Sequence, residues 1–188
     1  MKKILFATLA AILMIPAVNA QNRKVTWHLE GAAGTNVVYD NGSLGAGVSG
    51  HLGVVLFPVN GLGIRASFQA GNCSAPKNDT DWVTGRNYFK AGVTVDVMWD
   101  IINTFAHNKN GVYHIQPYIR YQNIIASGNN STILSPALGV GLRQTIKMNN
   151  KLQLLIDGNA LAADEYRWTH NNGYIGFLQA FIGIAYVL

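Results

Sequence analysis

From Phe89 to Trp99 the chain alternates strictly, with Phe89, Ala91, Val93, Val95, Val97 and Trp99 at the odd positions. Lys90, Gly92, Thr94, Asp96 and Met98 fill the even ones. A period of two is the signature of a strand with one apolar face, and helical spacing does not fit it. After a turn-rich IINTFAHNKNG the pattern resumes, with Tyr113, Ile115, Pro117, Ile119 and Tyr121 on one face and His114, Gln116, Tyr118, Arg120 and Gln122 on the other. Aromatic residues close the apolar band at both ends, the layout of a strand pair crossing a bilayer with rings at the two interfaces.

The same alternation predicts six more strands. Strand one runs from about Val25 to Tyr39. Strand two carries Leu44, Ala46, Val48, Leu52, Val54 and Leu56 on its apolar face, and strand three Leu62, Ile64, Ala66, Phe68 and Ala70. Both keep their apolar residues at even numbers, so the reversal at Pro58-Val59-Asn60-Gly61 must hold an odd number of residues or a bulge. Strand six runs from Leu134 to Lys147, strand seven from Leu152 to about Ala160, and the last from Tyr174 to Leu188. The reversals after strands two and six are short and the one after strand four intermediate. Those after strands three and seven, residues 72–87 and 164–173, are long and polar, and Ala126 to Ser131 makes a further polar loop. With both termini in the periplasm the long loops fall outside the cell. Trp27, Phe57, Trp99, Tyr113 and Tyr186 then mark the periplasmic rim, and Tyr39, Phe68, Phe89, Tyr121 and Tyr174 the outer one.

Composition decides what covers the apolar face. The 188 residues are 49% hydrophobic and 12% charged, whereas a soluble domain needs roughly 25–35% charge on its surface to stay dispersed. The polar face, rich in Gly, Ser, Thr and Gln, suits the crowded interior of a narrow barrel better than a water-facing surface. Lys2 and Lys3, the apolar run Ile4 to Val18 and the small-residue site Val18-Asn19-Ala20 read as a cleavable signal peptide over residues 1–20. No later run reaches 18 apolar residues, so helical spans are excluded. The expected architecture is an all-β, eight-stranded, antiparallel up-and-down transmembrane barrel over residues 21–188, located in the outer membrane of a Gram-negative cell. Without Lys2 and Lys3 the chain carries 12 basic and 9 acidic residues, a net +3. That is too small to argue for nucleic acid. The lone Cys73 makes no intramolecular disulfide, and no role is assigned to it.

The segment VTVDVMWDIINTF…VYHIQPYIRY, followed by ALGVGLR and KLQLLIDGNA, resembles the OmpA-like barrel proteins of Bacteroidetes-type bacteria. LFPVNGLGIR is similar to that family's reversal between strands two and three, in which Pro is followed by Gly-x-Arg. The resemblance implies a membrane-integrity role, with outer-membrane lipid, lipopolysaccharide and the barrel-insertion machinery as partners. Members often carry a C-terminal peptidoglycan-binding domain. This chain stops at Leu188, so tethering to peptidoglycan is not expected.

The candidate chemistry is inside. Glu30, Arg65, Lys90, Asp96, Asp100, Arg120, Arg143 and Asp157 project from the inward face, four of each sign. A charge inside a membrane-spanning element must be paired or hydrated. The set is therefore an ion-pair network that fills the lumen, or one that rearranges to open a narrow diffusion channel; Lys147 and Lys151 sit at a rim. Some eight-stranded barrels modify lipids, which directs attention to His51, Ser49 and Glu30. His51 and Ser49 are two residues apart on one strand face, about 6–7 Å, too far for a direct bond, so no enzyme is expected. His28 and His114 point inward near the periplasmic rim and His107 and His170 lie in loops; none has metal-ligand spacing, so neither metal nor cofactor is expected. The Asn-x-Ser/Thr triplets at Asn41, Asn72, Asn78 and Asn129 read as turn chemistry. Trp82 and Trp168 stand in the long outer loops, either as contacts for a host or phage surface or as packing on the barrel rim.

Overall fold

A computed structural model of the protein describes residues 25–40, 42–59, 61–76, 82–106, 111–128, 131–169 and 173–188. The expected signal peptide, His107, His170, Asn41, Asn78 and Asn129 lie outside them. Eight strands run β1 (Thr26–Asp40), β2 (Ser43–Val59), β3 (Leu62–Ser74), β4 (Asn87–Trp99), β5 (Tyr113–Gly128), β6 (Thr132–Lys147), β7 (Leu152–Asp164) and β8 (Tyr174–Val187). Each pairs antiparallel with its neighbours in sequence, and β1 closes on β8 from His28↔Val187 to Tyr39↔Gly176. Closure leaves no sheet edge, so strand backbone groups are paired within the barrel wall, as a hydrocarbon environment requires.

The alternation becomes the two faces of the wall. Along β4 every residue from Tyr88 to Met98 at an even position is buried, while Phe89, Val93, Val95, Val97 and Trp99 are exposed. Leu52, Val48, Ile119, Leu138, Val140 and Ile182 continue the exposed apolar belt around the barrel. The parity of β2 and β3 is reconciled by an irregularity between Leu56 and Val59: Leu56 pairs with Ile64, but Val59 pairs with Leu62. Gly61 completes that turn at φ +81°. A residue with a Cβ adopts that conformation only at a cost.

Several boundaries differ from the sequence expectation, β3 running to Ser74 and β7 to Asp164 among them. β5 continues to Gly128 and β6 starts at Thr132, so the first half of the expected 126–131 loop is strand. Tyr121 consequently lies midway along β5, paired with Val95, its hydroxyl 2.9 Å from Asn123 Oδ1. The intermediate reversal after β4 holds a short helix, α1 (Ile101–Ala106). Asp100 caps it, Oδ1 accepting from the Asn103 amide at 2.9 Å, and the Trp99 indole donates to Thr104 Oγ1 at 2.9 Å. The last outer loop contains a single helical turn, α2 (Tyr166–Thr169).

The aromatic rims differ at Phe57 as well as at Tyr121. Trp27, Trp99, Tyr113, Tyr174 and Tyr186 are outward and exposed, but Phe57 is half-buried and packs inside the barrel against Val55, Met98 and Tyr118. Its odd number places it on the inward face of β2, and its ring meets His28 edge-on at 5.5 Å.

Candidate functional site

The interior is stratified. Near mid-barrel, Arg65, Asp96 and Arg120 lie side by side because β3, β4 and β5 place them in direct register. Arg65 Nε donates to Asp96 Oδ2 at 2.5 Å, and Arg120 holds the same carboxylate through Nε at 2.8 Å and Nη2 at 2.9 Å. Arg65 then crosses the lumen: Nη1 reaches Glu30 Oε1 at 2.9 Å and Asp157 Oδ2 at 2.6 Å. Glu30 Oε2 accepts from Arg143 Nε at 3.0 Å, and Arg143 Nη1 donates to Gln116 Oε1. Arg143 is in register with Asp157 on β7, yet its hydrogen bonds go to Glu30 and Gln116. Three guanidinium groups thus interlock with three carboxylates, and all six side chains are essentially without solvent. Charge-assisted, multiply bonded pairs of this kind are the arrangement in which buried ions offset their desolvation.

Tyr118 is the residue that charge counting misses. Its hydroxyl donates to Asp157 Oδ1 at 2.5 Å, and its ring lies under both Arg65 and Arg120, with guanidinium carbons 4.7 and 5.0 Å from the centroid. The ring is admitted by Gly141 on β6, where any Cβ would collide with it. The inward parity of Tyr118 was available from the sequence; its central position depends on closure of the barrel.

Two expected members of the network stand apart. Asp100 is at the rim that holds the chain termini, where Oδ2 receives His114 Nδ1 at 2.8 Å and Gln116 Nε2 at 3.1 Å. Burial opposes its ionisation, but these bonds and the Asn103 amide outweigh it and hold the carboxyl below its usual 3.8. Lys90, wholly buried, has no carboxylate partner among the described residues; its Nζ is 3.3 Å from Asn36 Oδ1 and 5.1 Å from the Phe177 ring centre.

Above Lys90 the lumen is apolar, where a mainly polar face was expected. Val38, Tyr88, Ile124, Ile175 and Phe177 converge there, with Cys73 buried among them. Trp82 and Trp168 close the top. They are 5% and 0% exposed, their rings 5.4 Å apart, and the Val83 amide donates to the Trp168 carbonyl at 2.7 Å, tying the two outer loops together. Neither tryptophan is a surface contact, because each gains more by covering the apolar lumen than by facing water. The signal in the sequence was the apolar doublets Val37-Val38 and Ile124-Ile125, in which both faces of a strand are apolar.

Below the charge cluster a cavity of about 220 Å³ opens at the barrel end that holds the chain termini, lined by residues including His28, Phe57, His114, Gln116, Thr145 and Gln153. His51 faces Glu30 at 3.4 Å and the edge of Phe181 at 5.0 Å, while Ser49 Oγ accepts from Gln69 at 3.1 Å. The two residues hold separate partners and form no nucleophile–base pair. Among the described residues no three His, Cys, Asp or Glu side chains converge as a metal site.

No family model matches the chain, and no curated protein matches it. Solved structures do. Neisserial surface protein A is 9% identical with a TM-score of 0.66, covering 87% of this chain and 99% of its own. A major outer membrane protein from Thermus thermophilus is 15% identical at 0.56, over 88% and 100%. Ail, the attachment invasion locus protein of Yersinia pestis, solved in complex with the heparin analogue sucrose octasulfate, is 11% identical at 0.55, over 88% and 100%. At these identities the likeness carries the fold alone, and the fold is that of outer-membrane proteins: a closed eight-stranded antiparallel transmembrane β-barrel.

Proposed function

We propose that this protein is a closed structural barrel of the outer membrane, OmpA-like in type, that contributes to envelope integrity and conducts nothing through its lumen. The observation that carries the reading is Arg65. At 0% exposure it binds Glu30, Asp96 and Asp157 at once, and so joins β3 to β1, β4 and β7 across the lumen. The tryptophan pair covers the lumen from outside. A narrow diffusion channel would need these six groups hydrated and a mouth open at both ends.

Residues 1–20 serve in this reading as the export signal, removed before residues 21–188 fold. The insertion machinery meets a last strand whose exposed face ends in Tyr186 and Leu188, and the apolar belt contacts lipid and lipopolysaccharide. We ascribe no catalysis to the lumen, since Ser49 and His51 are not bonded to one another. Surface contacts, which the Ail complex illustrates for that protein, fall here to outer-face residues other than the buried tryptophans; Tyr166 and Tyr174, 56% and 80% exposed, are the most exposed aromatic ones. The reading is tested by refolding residues 21–188 into planar bilayers. The expected trace is flat; steady unit conductance would replace the structural reading with a channel.

A further inference from the structure

β4 ends at Trp99, but the apolar outer wall does not. Trp99 faces outward and is in register with Leu62 on β3, and the two are 42% and 45% exposed. Phe105, on α1, brings its ring to 5.7 Å from the Trp99 indole and is itself 71% exposed. The three side chains continue the belt past the last residue of the strand and onto the helix.

α1 is fixed to the rim. The Asp100 amide donates to the Gly61 carbonyl at 2.6 Å, and Thr104 packs so closely on Gly61 that a Cβ there would run into its hydroxyl. Thr104 Oγ1 also accepts from the Trp99 indole at 2.9 Å and donates to the Asp100 carbonyl at 2.8 Å. Asn103 is turned to the lumen, where it lines the cavity. The helix therefore straddles the rim, with Asn103 on the inner side and Phe105 on the outer. None of its six residues is charged, so no side chain opposes contact with lipid. Its depth is limited, because a six-residue helix cannot pair its own last carbonyls and such groups do not enter the hydrocarbon core exposed. The level that satisfies both conditions is the boundary between headgroups and acyl chains.

We propose that α1 is an interfacial foot of the barrel, lying in the leaflet at the end that holds the chain termini with Phe105 among the acyl chains. Its partner is membrane lipid, and because α1 is uncharged a zwitterionic phospholipid suffices. Continuity favours lipid over a second copy of the chain: Phe105 adjoins Trp99 and Leu62, which belong to the belt that the membrane covers. The proposal rests on the outer-membrane placement of the barrel, and Val97, within the belt on β4, tests that placement separately.

The test is the immersion of a nitroxide attached at Phe105→Cys in a Cys73→Ala chain refolded into phosphatidylcholine vesicles, read by electron paramagnetic resonance as the ratio of collisions with oxygen to collisions with a water-soluble nickel chelate. Val97→Cys is the lipid reference and Asn150→Cys, exposed in the turn between β6 and β7, the water reference. Each variant is checked for folding by heat-modifiable gel migration. The ratio at 105 should be raised toward that at 97 and stand above that at 150, and adding phosphatidylglycerol should not change it. A ratio at 105 equal to that at 150, with 97 still in lipid, overturns the proposal and leaves the barrel reading intact; 97 equal to 150 overturns both. Spin–spin broadening at 105 that dilution with unlabelled protein relieves would show a second copy covering α1, and also overturns it. The unsubstituted chain gives an independent reading, which serves if Phe105→Cys does not fold. In vesicles of phosphatidylcholine carrying a diazirine in its acyl chain, photolysis should leave lipid adducts on Ile101–Ala106 as well as on the strands, and adducts confined to the strands overturn the proposal.

Discussion

Arg65 Nη1 and Asp157 Oδ2 are 2.6 Å apart although β3 and β7 share no backbone pairing. The pair spans the barrel, so its free energy belongs to closure of the whole cylinder and to no single hairpin. Removing one partner leaves a buried charge unmatched, which typically costs about 3–5 kcal/mol. Arg65→Ala should fall in that range in urea unfolding from lipid vesicles. Asp157→Asn combined with it should recover part of the loss, because the double variant buries one orphaned charge fewer.

Arg120→Ala should cost less than Arg65→Ala. Its only ion-pair partner among the described residues is Asp96, and Asp96 keeps Arg65 at 2.5 Å when Arg120 is gone. Asp100, an attractive partner by its place next to β4, is bound to His114 and plays no part here. The two single variants measured side by side decide the point; equal losses would mean that Arg65 does not hold Asp96 on its own.

Trp168→Ala should both destabilise and open the outer mouth. Truncating a fully buried aromatic costs about 3–5 kcal/mol, and Trp168 also contacts Trp82, Tyr88 and Phe177. Tryptophan fluorescence of the remaining residues should shift to the red as Trp82 becomes wet. An unshifted spectrum with unchanged stability would show that the two indoles do not support each other.

On the lipid face, Val95→Arg should destabilise by about 2–4 kcal/mol, the cost of a cation near the bilayer midplane. Thr94→Arg is no benign control, although its inward direction suggests one: Thr94 is buried, its hydroxyl paired with Ser67, and an arginine there would overpack the lumen. Met148→Arg, exposed in the turn between β6 and β7, is the proper comparison and should be close to neutral in the same unfolding assay.

Asp100 gives the rim at the chain termini a pH dependence. Its carboxyl is held below 3.8 in the folded state, so the native form favours ionisation. The stability it contributes is therefore complete above the ordinary carboxyl value and is lost as pH falls from there through the folded value. Asp100→Asn preserves a helix cap but removes the charge. The stability difference between wild type and variant should be constant at neutral pH and shrink in acid; a difference independent of pH would assign the whole effect to the cap.

Strand number, wall direction and the identity of the inward residues were legible in the chain itself, because each depends on a period of two that any short run of residues displays. The bulge after Leu56 was legible for the same reason, as a conflict of parity between two strands. Which inward groups meet was not. Register brought Arg65, Asp96 and Arg120 together along the wall, but Arg65 with Asp157, Tyr118 between two guanidiniums and Lys90 without a carboxylate depend on the diameter and stagger of the closed barrel. The tryptophans show the same division. As sequence, Trp82 and Trp168 were two residues in separate polar loops; only the closed wall creates an apolar opening beneath both, and burying it is what draws the loops over the lumen.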